Sequence, residues 1–122
     1  MPFLEVFDFE ATPRQRRRAT ELMTEALCEA YDIAPDIVSA YFFDIGANSY
    51  AHRGIHGYSA EMKRIFVKVH AFRRSVDLRR TAARLLTDAF VAAYDVPPKS
   101  VVIYFFDREP DEAAHAGALA DA

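Results

Sequence analysis

The chain is short of cysteine, of net charge and of long apolar runs, and each shortage removes a class of protein. A single cysteine, Cys28, excludes an internal disulfide framework and fits a reducing compartment. Lysines and arginines number 15 against 18 acidic residues, a net charge of −3, so no basic excess marks nucleic-acid binding as the main task. No apolar run reaches the roughly 20 residues that span a bilayer, so no membrane partner is expected. The first residues carry neither the basic nor the apolar region of a secretory signal, and the cytoplasm is the expected location. No glycine-rich loop of the phosphate-cradling kind is present. What remains is 122 residues, 52% hydrophobic and 27% charged, enough for one folded domain with a proper core.

That single domain is one unit written twice. A shift of 63 positions brings the halves into register without gaps. Val6, Phe9, Arg16, Arg17 and Ala19 then meet Val69, Phe72, Arg79, Arg80 and Ala82. Ala30, Tyr31 and Asp32 meet Ala93, Tyr94 and Asp95, and Tyr41, Phe42, Phe43 and Asp44 meet Tyr104, Phe105, Phe106 and Asp107. Ala51, His52 and Gly54 meet Ala114, His115 and Gly117. Helical periodicity shared by chance does not give so many identities at one offset. The chain is a tandem duplication, with repeats over 2–57 and 64–117.

Each repeat reads as strand, helix, strand. Thr12, Pro13 and Gln15 have the spacing of a capping box with proline at the first helical position. Ala19, Leu22, Met23, Ala26, Leu27 and Ala30 form one apolar stripe, and Pro35 ends the helical region. Ser75 is the corresponding cap in the second half, ahead of the stripe Leu78, Ala82, Leu85, Leu86, Ala89, Phe90 and Ala93. β-Branched and aromatic residues predict strands over 2–9, 37–43, 65–72 and 101–106. A strand–helix–strand unit of this size makes a parallel pair with a right-handed crossover. The expected fold is α+β: a four-stranded sheet with two helices on one face. Both strand faces are apolar, so the uncovered one should meet other subunits. The link over 46–63 should hold a turn or small hairpin, and the alanine-rich tail should dock or fray.

Pro2 stands directly after the initiator methionine, which is normally removed before so small a residue. Removal leaves a secondary amine, and ordinary terminal amines titrate near ~7.7–8.0. In a desolvated pocket such an amine is a general base or a nucleophile at cellular pH. On this strand alone, a proline that merely opens an edge strand is the simpler reading.

A chain that opens with Pro2 and repeats a strand–helix–strand unit of about sixty residues resembles the tautomerase superfamily, 4-oxalocrotonate tautomerase and its relatives. Its length is similar to members with two fused units. The resemblance implies that Pro2 is the catalytic residue once Met1 is gone. It implies one active site per chain, a homotrimer, a small carboxylate substrate, and no cofactor or metal. The family's substrate arginine precedes the helix cap; Ala11 and Thr12 stand there in the first half, whereas Arg74, with Arg73 beside it, stands there in the second. A guanidinium takes a carboxylate through two hydrogen bonds. Tyr50 matches an aromatic that lines the family's pocket, and Tyr104 a tyrosine of one dehalogenase branch, although Tyr41 repeats it as a packing residue would.

Two departures shape the expected chemistry. The arginine of the second strand is missing, with Ser39 and Ala40 or Val102 and Ile103 in its place, which argues against a dicarboxylate muconate. Where dehalogenases and hydratases place a water-activating carboxylate, this chain has His115. The reaction implied is therefore keto–enol or double-bond proton transfer in a small 2-keto or 2-hydroxy-enoic acid. The alternatives are a decarboxylase, dehalogenase or hydratase of a three-carbon acid, and a binding or signalling protein with vestigial activity. Arg16, Arg17 and Arg18 read as a solvated helix face. His52 and His56 lie among glycines, against a helical metal pair, and Cys28 reads as a small packing residue. His70 lies on a strand with no partner identifiable from sequence.

Overall fold

The structure, a computed structural model, describes residues 1–121. Its elements follow the duplication. The first half holds β1 (Phe3–Asp8), α1 (Pro13–Tyr31), β2 (Ser39–Asp44) and a hairpin of β3 (Ala51–His52) and β4 (Ile55–His56). The second holds β5 (Ile65–Phe72), α2 (Val76–Tyr94), β6 (Val101–Arg108) and a hairpin of β7 (Ala114–His115) and β8 (Ala118–Leu119).

Local chemistry explains the helix ends. Thr12 Oγ1 accepts from Gln15 N at 3.1 Å, and Gln15 Oε1 accepts from Thr12 N at 2.9 Å, so the capping box is complete. Ser75 Oγ accepts from Leu78 N at 3.2 Å. Both helices close on an aspartate in the left-handed region, Asp32 at φ 53° and Asp95 at φ 55°. Pro35 does not end α1: the helix stops at Tyr31, and Pro35 opens a single 3-10 turn that delays β2 to Ser39.

The sheet order is β2-β1-β5-β6, with β1 antiparallel to β5 at the centre and each outer strand parallel to its inner neighbour. The two halves are thus related by a pseudo-twofold axis between β1 and β5. Alternation along the central strands sends Leu4, Val6, Val67 and Val69 to the helices, where they meet Met23, Leu27, Leu86 and Phe90 in one core. Each such side chain contributes roughly 1.5–3 kcal/mol on burial. Leu78, expected in the α2 stripe, lies at its first turn and is exposed.

The opposite face has no helix. It carries Phe3, Phe7, Tyr41, Phe43, Phe66, Tyr104 and Phe106, in a web of ring contacts. Lys68 sits amid Phe7, Phe66 and Phe106, its Nζ 5.2, 5.7 and 5.6 Å from the ring centres. Arg17 and Arg18 lie on a solvated helix face as expected, but Arg16 does not. It turns inward to Asp8, with Nε at 3.0 Å from Oδ2 and a terminal nitrogen at 2.8 Å from Oδ1. No helix among the described residues is long and apolar enough to cross a membrane.

Candidate active site

The antiparallel centre of the sheet decides what surrounds Pro2. Phe3 lies opposite His70, and Phe72 pairs with Arg108, so the start of β1 meets the ends of β5 and β6. The chain then leaves β6 and folds back as the β7–β8 hairpin. Ala116 at φ 51° and Gly117 at φ 84° make its two-residue turn. A cavity of about 720 Å³ lies between them. Pro2, Phe3, Ser39, Tyr41 and Phe72 form one side, and Ala114, His115 and Ala118 the other. Pro2 is buried, Met1 is exposed at the cavity, and the Pro2 carbonyl accepts from Ser39 N at 3.3 Å. The pseudo-equivalent end of the sheet begins with Ile65, which has no terminal amine to offer.

Of the site residues expected from sequence, Pro2 and His115 line this cavity together; the other four do not. Arg74 lies over the Tyr31 ring, its guanidinium carbon 4.7 Å from the ring centre, and donates to the Phe72 carbonyl at 2.7 Å. Arg73 is exposed and pairs with Glu109 at 2.8 Å, a hydrogen bond that raises its pKa further. Tyr50 packs edge-on against Phe9, at the other end of β1 from Pro2. Its hydroxyl donates to the Met62 carbonyl at 2.7 Å and accepts from Arg64 N at 3.2 Å, fastening the link into β5. Tyr104 stands on the open face, 59% exposed and edge-on to Phe66. The pseudo-symmetry sends its repeat, Tyr41, to the Pro2 end instead, so Tyr41 and not Tyr104 lines the cavity. Neither tyrosine is in the core.

Sequence reasoning missed two residues at this end. His70 is buried, and its ring stacks on Phe3 at 4.3 Å and Phe106 at 5.0 Å. Its Nε2 is 2.6 Å from Glu5 Oε2 and its Nδ1 is 2.8 Å from an Arg108 terminal nitrogen. The signal lay in the repeat, where it fails: Phe7 corresponds to His70 and Ile45 to Arg108. Positions that exchange an apolar residue for a polar one are where the second half departs from a packing role. Behind the sheet, burial pushes the Tyr31 phenol up, Asp107 adding to it and Arg74 and Arg79 opposing.

No protein-family model and no curated protein matches the sequence. Solved structures do match. A fused 4-OT symmetric trimer has a TM-score of 0.87 at 21% identity, over 98% of this chain and 97% of that one. Pt0534, inactivated by 2-oxo-3-pentynoate, has a TM-score of 0.84 at 12% identity, over 97% and 94%. Malonate semialdehyde decarboxylase has a TM-score of 0.73 at 16% identity, over 98% and 94%. Identity this low speaks to architecture, and the architecture agrees from end to end. The chain has the fold of the fused 4-OT structures along nearly its whole length.

Proposed function

We propose that the protein is a cofactor-independent enzyme that moves a proton between carbon and oxygen, or between two carbons, of a small 2-keto or 2-hydroxy-enoic acid. The observation that carries this reading is Pro2, directly after Met1, buried against an apolar cavity. Loss of Met1 turns an amide nitrogen into a secondary amine at the cavity wall. Phe3, Phe72 and the alanines of the hairpin make apolar walls there, which disfavour the ammonium form and keep the amine ready to accept a proton. Pro2 takes the proton from one atom of the bound acid and returns it at another. The test is a screen of the purified protein, with its amino terminus established by intact mass, against enolpyruvates, hydroxydienoates and haloacrylates. The expected result is interconversion of keto and enol forms without release of halide or carbon dioxide.

His115 supports a second reading. It lines the same cavity, and a histidine there is a base able to activate water or to assist decarboxylation of a three-carbon acid. Malonate semialdehyde decarboxylase shares the fold. In the proton-transfer reading His115 is not needed, so His115→Ala should leave keto–enol turnover within a few-fold of the wild type, as followed by absorbance of the enol. Abolished turnover, with halide or carbon dioxide released by the wild type, moves the assignment to the second reading.

The active unit is a homotrimer. Tyr41, Phe43, Tyr104 and Phe106 all remain more than a third exposed on the open sheet face, an aromatic surface that a monomer leaves in water. The fused 4-OT structure that shares this fold is a symmetric trimer. Sedimentation equilibrium at micromolar concentration should return three times the chain mass, and a stable monomer would mean that this face is covered in another way.

A further inference from the structure

Neither expected arginine lines the Pro2 cavity: Arg73 pairs with Glu109, and Arg74 lies against Tyr31 and donates to the Phe72 carbonyl. Arg108 is a cation at this end of the sheet, its guanidinium carbon 5.9 Å from the centre of the ring of Phe3, a residue that lines the Pro2 cavity. It forms no ion pair among the described residues, and a single one of its N–H groups is used by a side chain, the His70 Nδ1 contact at 2.8 Å. That contact makes Nδ1 an acceptor, so the imidazole carries its proton on Nε2 and donates it to Glu5 Oε2 at 2.6 Å. Stacking between Phe3 and Phe106, with interplanar angles of 5° and 23°, holds the ring plane, and the two polar contacts set its orientation. Glu5, His70 and Arg108 are thus a relay across three strands that fixes where the guanidinium stands. Arg108 lines a recess of about 240 Å³ that shares Met1, Phe3, Phe72, Ala113 and Ala114 with the Pro2 cavity. Glu112 also lines this recess, but its Oε1 is held by Glu109 N at 2.9 Å in the turn that follows β6.

We propose that Arg108 binds the carboxylate of the substrate whose reacting carbon lies against Pro2, and that His70 and Glu5 position it. This rests on the Pro2 reading and narrows it: a single guanidinium selects a small monocarboxylate. Arg108 belongs to the second half and Pro2 to the first, so the duplicated chain builds one site from both.

Covalent labelling by 2-oxo-3-pentynoate, with its neutral methyl ester as control, tests this. The Pro2 amine adds to C4 of the alkyne, forming an N–C bond as one π pair moves to give an allenolate. C3 then gains a proton and the ammonium loses one, so the adduct mass equals that of the reagent with no leaving group. In the wild type both reagents should label Pro2 with saturation, the acid at lower concentration than the ester. Arg108→Gln should raise the acid's half-saturation concentration by roughly 10- to 100-fold, the loss of one charged hydrogen bond, without changing the limiting rate or the ester reaction. His70→Phe should raise it by about 3- to 10-fold, again sparing the ester, because the guanidinium keeps its charge and loses its anchor. An acid half-saturation unchanged in Arg108→Gln, while the ester still labels, overturns the proposal. So do equal values for acid and ester in the wild type, which decide the matter even if the variant does not fold. Absence of any Pro2 adduct from either reagent instead removes the Pro2 reading itself.

Discussion

Protein carrying one residue that survives ahead of Pro2 should lose keto–enol turnover by about 10²- to 10⁴-fold, the usual contribution of a positioned base. The reason is electronic before it is steric. An acylated proline nitrogen is an amide, with its lone pair delocalised into the carbonyl and no basicity near neutral pH. Nothing else at the cavity replaces it in kind: Ser39 and Tyr41 offer hydroxyls rather than an amine, and His115 stands on the facing hairpin. Overall folding should be unaffected, since β1 starts at Phe3 and the extra residue leaves through the position that exposed Met1 occupies. Intact mass establishes which form is present, and circular dichroism that the fold is kept. The rate profile of the mature protein should show an acid limb below the ordinary terminal-amine range of ~7.7–8.0, because the apolar walls disfavour the cation. Full activity in protein that demonstrably retains the extra residue would end the proline mechanism.

The duplication explains why so much of the architecture was legible and why the site was only partly so. Pairs such as Tyr31 and Tyr94, or Ala51 and Ala114, keep the 63-residue offset in the folded chain because each repeat makes its own helix caps, stripe and hairpin from nearby residues. These are local signals. The Pro2 site is built instead by pairing across the pseudo-twofold axis, which the periodicity of either half does not encode. Arg108 is reached by following β6 two residues past the predicted strand end at Phe106, and its meaning depends on β5 and β1 running antiparallel. His70 finds Glu5, 65 residues away, by the same route. Arg74 shows the converse. Its place in the repeat suggested an anion site, yet the turn into α2 lays it on Tyr31, a residue from the end of the other helix.

The largest effect on stability should come from Asp8, which contributes nothing to the cavity. Its side chain is completely buried at the end of β1, where its oxygens accept two bonds from Arg16 and one from the Tyr94 hydroxyl at 2.8 Å. Those partners tie the first turns of α1 and the last residue of α2 to the central strand, from positions 8 and 86 residues distant. Asp8→Ala leaves a guanidinium and a phenol without their acceptor. The expected cost is about 3 kcal/mol, the lower end for a broken buried pair, because the Arg16 side chain is still 31% exposed to water. The second half supplies the control. Its corresponding position is Ala71, and the aspartate near Tyr31 and Arg79 is Asp107, on β6. Asp107 approaches Arg79 only to 3.8 Å, and both its oxygens lack a hydrogen-bond partner among the described residues. Asp107→Ala should therefore cost under about 1 kcal/mol, since little is made there to be lost. Alkali should expose the same asymmetry. Burial first, and then the bond to Asp8, push the Tyr94 phenol far up, so the folded state holds it neutral. That contribution is complete below the unfolded value of about 10 and is lost as pH rises through the folded one, because only the unfolded chain ionises easily in between. Denaturant unfolding of wild type and the two variants, at neutral pH and above pH ~10, measures all of this. Equal losses for Asp8→Ala and Asp107→Ala would show that the bonds of Asp8 do not hold the two helices to the sheet.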